Sequence, residues 1–231
     1  MKRFWKGVAV SEEDGAFAVR LDGRPVRLPG GGTLSVTSRP LAEALAAEWD
    51  AAGRGGEMRW DEVPLTRLVG TATERIAPDP APTVAALARY GETDLLCYRA
   101  EEAELAAAQA RDWTPWLDWA RESLGAGLRV TQGLMPAAQP PATLAALESA
   151  VAAHPPLGLA ALGVLVPALG SLVLGLAVTR GGLGAEEAHR LSLLDELHQE
   201  ARWGLDWEAE ERRARVAADI AVAVRLARLA G

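Results

Sequence analysis

Apolar positions along the chain come first in short runs broken by turn residues and later at helical spacing. Ala16–Leu21 and Arg24–Leu28 flank Asp22-Gly23, a pair suited to a type I′ turn, so a hairpin is expected there. Phe4–Val10 and Thr33–Val36 are further strand candidates. Ser38 has the chemistry of an N-cap and Pro40 suits a first helical turn. A helix to Ala52 is therefore expected, with Leu41, Ala44, Leu45 and Trp49 on its apolar face and Gly53 as its stop.

After Glu57–Val63 the pattern becomes helical and stays so. The Pro-rich stretch Asp79–Pro82 marks a boundary, dividing an α+β N-terminal domain (1–80) from an all-α C-terminal domain (81–231). The fold class expected is thus α+β: a small strand-rich domain followed by a mostly helical one. Helices are expected over 82–90, 101–110, 113–124, 141–153, 185–203 and 207–229. Asp112 would cap the helix holding Pro115, and Gly125 would stop it.

Leu157–Val178 is 22 residues without a charge, long enough to span a bilayer. It holds four Gly, four Ala, Pro167 and Ser171, and its apolar character rests on twelve Leu and Val. No aromatic belt or cluster of basic residues flanks it. Two short buried helices meeting at Pro167 are expected, with Gly and Ala allowing close packing.

The chain has 231 residues, 49% hydrophobic and 24% charged, enough for a sizeable core. Its net charge of −7 argues against nucleic acid as a partner and lends nothing to anionic membrane binding. One cysteine, Cys97 in LLCYR, excludes an intrachain disulfide and suits a buried thiol. The N-terminus lacks an apolar signal segment and turns acidic early, so cytoplasmic residence is expected.

Candidate chemistry is sparse. His154, His189 and His198 do not form an HExxH pair, and with one cysteine no metal site or other cofactor is expected. Gly30-Gly31-Gly32 lacks the Lys and Ser/Thr of a P-loop. Trp113, Trp116 and Trp119 recur on one helix face, so a carbohydrate platform competes with a core seam. A hydrolase or carbohydrate-binding protein, using a carboxylate pair beside a Trp-lined site, is the alternative function.

Leu194–Arg213 mixes acids with two tryptophans. Asp206 would cap a helix starting at Trp207, and Glu208, Glu210 and Glu211 then lie at its positive end, where the dipole favours them. Glu196 and Glu200 lie in the second half of the helix expected over 185–203, where the dipole disfavours acids. With Trp203, and with Trp207 if the helix continues through Gly204, they make one stripe. An interface hot spot with a charged rim and simple pairing to Arg190 or Arg202 both remain open.

The chain resembles the assembly chaperones of the α subunit of the F-type ATP synthase catalytic head, the mitochondrial assembly factor 2-like family, also found in α-proteobacteria. The resemblance rests on ordered blocks running nearly end to end: FWK at Phe4–Lys6, LDGRPV at Leu21–Val26, LAEALAAEWD at Leu41–Asp50 and PLTRL at Pro64–Leu68. TDLLCYRA at Thr93–Ala100 is the most specific, followed by Leu105, Gln109, Trp113, Pro115 and Trp119. SLVLGLAV at Ser171–Val178 comes next, then Glu196, Gln199, Trp203, Gly204 and Glu208. Val63 stands where a Met is usual, and His198 where an aromatic is frequent. The absence of a presequence fits a bacterial member.

The resemblance implies a non-enzymatic protein that binds the unassembled α subunit and shields its subunit interface from aggregation until the β subunit replaces it. The free chain is expected to be a monomer, without nucleic acid or stable membrane insertion. The expected partner-binding residues are Glu196, Gln199, Glu200, Trp203, Gly204, Trp207 and Glu208.

Overall fold

Local turn chemistry builds the N-terminal sheet. A computed structural model of the chain describes residues 2–204 and 207–230. Its compact units are Met1–Pro80 with Pro156–Ala161 and Arg225–Gly231, and Ala81–Pro155 with Leu162–Val224.

In the first unit, β1 (Val8–Glu13) pairs antiparallel with β2 (Ala16–Leu21), and β2 with β3 (Arg24–Pro25) and β4 (Ser35–Val36). Both hairpin turns, Asp14-Gly15 and Asp22-Gly23, put two residues at positive φ, the geometry that Asp-Gly tolerates. β1 lies later in the chain than the expected Phe4–Val10, because Asp14-Gly15 brings Ser11–Glu13 into register with Ala16–Ala18. β2 is central and buries Ala18, Val19 and Leu21.

α1 (Arg39–Ala51) is capped by Ser38, whose Oγ accepts from the Leu41 amide, and it buries the apolar face expected of it. Glu48 on this helix reaches the start of α2 (Pro64–Thr71), accepting from the amides of Leu65 at 2.7 Å and Thr66 at 3.0 Å. The carboxylate thus satisfies two otherwise orphan helix donors. Burial pushes the Glu48 pKa up, against the pull of these hydrogen bonds. A single π-helical turn, Ala72–Ile76, follows α2.

In the second unit, α3 (Ala81–Ala88) leads through two 3-10 turns to β5 (Tyr98–Arg99), which pairs in parallel with β6 (Thr131–Gln132). Between them runs α4 (Ala103–Leu124) as one helix. The break expected near Asp112 does not occur. Leu105, Gln109, Trp113, Leu117 and Ala120 share one buried face, and keeping that face outweighs the donor missing at Pro115. Asp112 pairs with Arg111 and Arg190 instead of capping. Gly125, at φ +70, ends the helix as expected.

α5 (Pro141–Ala152), α6 (Pro156–Leu169) and α7 (Leu172–Thr179) follow. The joint in the apolar stretch is Gly170-Ser171, where Gly170 has φ +62 and Ser171 caps α7. Pro167, expected to be the joint, sits inside α6. Residues Leu172 to Val178 are all buried, so α7 is apolar all round because it is central. Among the described residues no helix is long and apolar enough to cross a membrane.

α6 and α7 touch closely at Gly175. A β-carbon there would stand 2.8 Å from Val166 Cγ2 and 3.4 Å from Leu162 Cδ2. Gly175→Ala is therefore expected to cost about 1–3 kcal/mol by overpacking. Urea unfolding checks this; unchanged stability would mean that Val166 turns aside freely.

The remaining helices are α8 (Ala185–Ser192), α9 (Leu194–Trp203) and α10 (Trp207–Leu229). The single helix expected over 185–203 is thus two, broken at Leu193.

Candidate functional site

The break at Leu193 changes the electrostatics of the site. Glu196 lies in the first turn of α9, where the helix dipole favours an acid. The expectation that the dipole disfavours it is overturned; Glu200 alone lies toward the negative end.

Both acids also have local partners, though not Arg190 or Arg202. Glu196 Oε1 accepts from Arg212 Nη2 at 3.0 Å and Arg213 Nη1 at 3.2 Å, and Glu200 accepts from Arg213. Arg190 is taken by Glu187 and Asp112, and Arg202 by Glu102 and Glu104. The acids therefore tie α9 to α10. The hydrogen bond that Arg213 donates to Glu200, aided by the charges of both acids, raises the Arg213 pKa above its ordinary value.

Beside this pair sits His189, whose Nε2 is buried without a hydrogen-bond partner among the described residues. Burial first, then the Arg213 charge, push its pKa down, while Glu196 opposes them.

Glu196, Gln199, Glu200, Trp203 and Gly204 line one open concavity of about 490 Å³ with Ala209, Arg212 and Arg213. Five of the seven expected site residues are thus brought together there. Trp207 and Glu208 are not among its lining residues. Gly204 adopts φ +94 and ends α9, so Trp207 does not continue the expected stripe. Glu208 lies in the first turn of α10 as expected, while the capping assigned to Asp206 falls outside the described residues.

Both tryptophans of this stretch stand exposed. Trp203 is 85% exposed and Trp207 65%. Large exposed indoles are costly in a chain that keeps them bare.

Sequence reasoning missed a second apolar feature of the same unit. Leu134 is 94% exposed and Met135 78%, both in the loop after β6. A β-carbon on Gly133 would stand 3.5 Å from Glu101 Oε1, and the next residue, Glu102, holds Arg202 at 2.5 Å. The signal was an apolar pair, Leu134-Met135, placed between Gly133 and Pro136, in a stretch given no helix or strand.

Other candidate chemistry dissolves on inspection of the geometry. Glu102, Glu104 and His198 come together, but the Arg202 guanidinium already lies between the acids, 2.5 Å and 3.4 Å from them. Trp113 is fully buried and donates from Nε1 to the Leu191 carbonyl at 3.0 Å, so the three-tryptophan carbohydrate platform does not form. Cys97 is buried, and its thiol is pushed up to about 12 by burial and by Asp94.

The blocks of the family resemblance find structural work. Gln109 accepts from the Ala100 amide at 2.7 Å and donates to Asp195 Oδ1 at 2.7 Å, linking Thr93–Ala100 to α9. Asp94 is buried; its Oδ1 takes the Leu96 amide and its Oδ2 the Val173 amide, each at 3.0 Å.

The chain is similar to solved structures along nearly its whole length. Atp12 from Paracoccus denitrificans matches with a TM-score of 0.93 at 44% identity, covering 100% of this chain and 98% of that one. The Atu1473 protein of Agrobacterium tumefaciens matches with a TM-score of 0.92 at 38% identity, covering 98% of this chain and 85% of that one. Protein atp12, mitochondrial, of Schizosaccharomyces pombe is 27% identical over 222 residues, covering 91% of this chain and 76% of its own. The family profile described as ATP12 chaperone protein matches residues 2–121. With a profile match over more than half its length, and end-to-end likeness to Atp12, the chain belongs to the ATP12 chaperone family.

Proposed function

We propose that this chain binds the unassembled α subunit of the F-type ATP synthase catalytic head and shields its subunit interface from aggregation until the β subunit replaces it. Membership of the ATP12 family makes the chain a chaperone of ATP synthase assembly. The choice of the α subunit follows from the resemblance of its ordered sequence blocks. We read the work as cytoplasmic.

The observation that carries the reading is the exposure of Trp203 beside acids already neutralised by Arg212 and Arg213. An orphan subunit exposes an apolar interface that invites aggregation. A surface with a bare aromatic side chain, and with its charges satisfied internally, covers such an interface without burying an unpaired ion. The net charge of −7 then serves encounter with a basic client more than final affinity.

The test is light scattering of isolated α subunit with and without an equimolar amount of this chain. Suppressed aggregation is expected, with no ATP hydrolysis by the chain itself. Unsuppressed aggregation would overturn the reading.

A further inference from the structure

A second concavity lies wholly within the first unit and has no part in the surface described above. It holds about 330 Å³. Its apolar lining comes from Leu28, Pro29, Trp49, Trp60 and Gly70. Trp49 and Trp60 meet edge to face, with ring centroids 6.4 Å apart at 87°. Trp49 is buried and fixed from behind, its Nε1 donating to Thr66 Oγ1 at 3.1 Å, whereas Trp60 is 52% exposed. A β-carbon on Gly70 would stand 3.3 Å from Leu28 Cδ2, so Leu28 packs closely against the glycine at this wall.

The rim is basic. Arg27, Arg67 and Arg75 line it, with Glu74 as the one acid among the lining residues. Glu74 is already engaged, its Oε1 accepting from the Gly30 amide at 2.7 Å. Arg27 donates to the Gly31 carbonyl and to Thr33 Oγ1, neither of them an acid. Among the described residues none of these three arginines forms an ion pair. In a chain of net charge −7, a cleft with three arginines against one acid runs against the overall balance. The π-helical turn Ala72–Ile76 carries both Glu74 and Arg75 to this rim, and such turns recur at binding sites.

We infer that this cleft docks an acidic peptide segment carrying one aromatic side chain: the ring seats against Trp60 and Trp49, and flanking carboxylates pair with Arg67 and Arg75. Aromatic pairs favour the edge-to-face seat that these indoles offer. Arginine forks hold carboxylates by paired, charge-assisted hydrogen bonds. A nucleotide fits less well, because the Gly30 amide that would serve a phosphate is taken by Glu74. The cavity is also near the lower limit for small-molecule sites, about 300 Å³.

The experiment titrates the full chain with the capped pentapeptide Glu-Glu-Phe-Glu-Glu and follows the indole N–H resonances by NMR. The Trp60 signal is assigned by its loss in Trp60→Phe. A saturable shift of that signal is expected, with none from Lys-Lys-Phe-Lys-Lys. The double variant Arg67→Glu with Arg75→Glu, at two exposed positions, is expected to weaken binding at least about tenfold. Its other indole signals should stay in place, which shows that the fold is kept. Absence of a shift at millimolar peptide, equal response to both peptides, or full binding by the double variant would each overturn the inference. So would ADP binding in the cleft more tightly than the acidic peptide.

Discussion

Asp94→Ala is expected to destabilise the helical unit by about 4 kcal/mol, measured by urea unfolding. Asp94 is fully buried and organises two segments at once. Its Oδ1 caps the 3-10 turn Leu95–Cys97 through the Leu96 amide, and its Oδ2 takes the Val173 amide at the start of α7. Ser171 and the Leu172 amide also hydrogen-bond to it. Burial pushes its pKa up, and these four donors pull it down. Alanine would strand donors at the N-terminus of a helix with no solvent-facing residue between Leu172 and Val178. Each buried donor left unsatisfied costs about 1–3 kcal/mol. Asp94→Asn keeps one acceptor oxygen and is expected to lose about half as much. A loss within about 1 kcal/mol for alanine would mean that water replaces the carboxylate and that the side chain does not hold α7.

The second large effect concerns the client surface. Trp203→Ala is expected to weaken capture of the α subunit by about 2 kcal/mol or more, roughly thirtyfold, with unfolding stability unchanged. The side chain is 85% exposed, so its removal takes little from the free protein. Calorimetric titration with isolated α subunit, beside a urea melt of the variant, separates the two quantities. Wild-type affinity in Trp203→Ala would remove the indole from the interface. Glu196→Lys is a poorer probe than the sequence pattern alone suggests. It would set a third cation against Arg212 and Arg213 and loosen the tie between α9 and α10, so lost capture would report on the fold as much as on contact.

The elements that could be read from the chain were those governed by local chemistry. The Asp22-Gly23 hairpin, the Ser38 cap, the Gly125 stop and the span of α10 from Trp207 to Leu229 all follow from a few adjacent residues. The continuity of α4 did not. Asp112 and Pro115 resemble a helix start, and only the alignment of Leu105, Gln109 and Trp113 against buried neighbours overrides that signal. The break at Leu193 has no Gly or Pro to announce it.

The candidate site shows the same division. That Trp203, Glu196 and Glu200 belong together was legible, because helical spacing puts them on one face. That the acids are partnered was not, because Arg212 and Arg213 reach them from α10, a separate helix whose placement no local pattern states. The apolar pair Leu134-Met135 was visible between Gly133 and Pro136, but its exposure was not, since that depends on what packs over it.

The sequence by itself determined the family, the strand-rich and helical character of its two parts, and the tryptophan-bearing stretch near its end. Those depend on spacing and on adjacent residues, which a linear string contains. The tertiary structure alone decided which charges are satisfied, which helices break and which apolar side chains stay bare. Each of those depends on distant segments meeting in space.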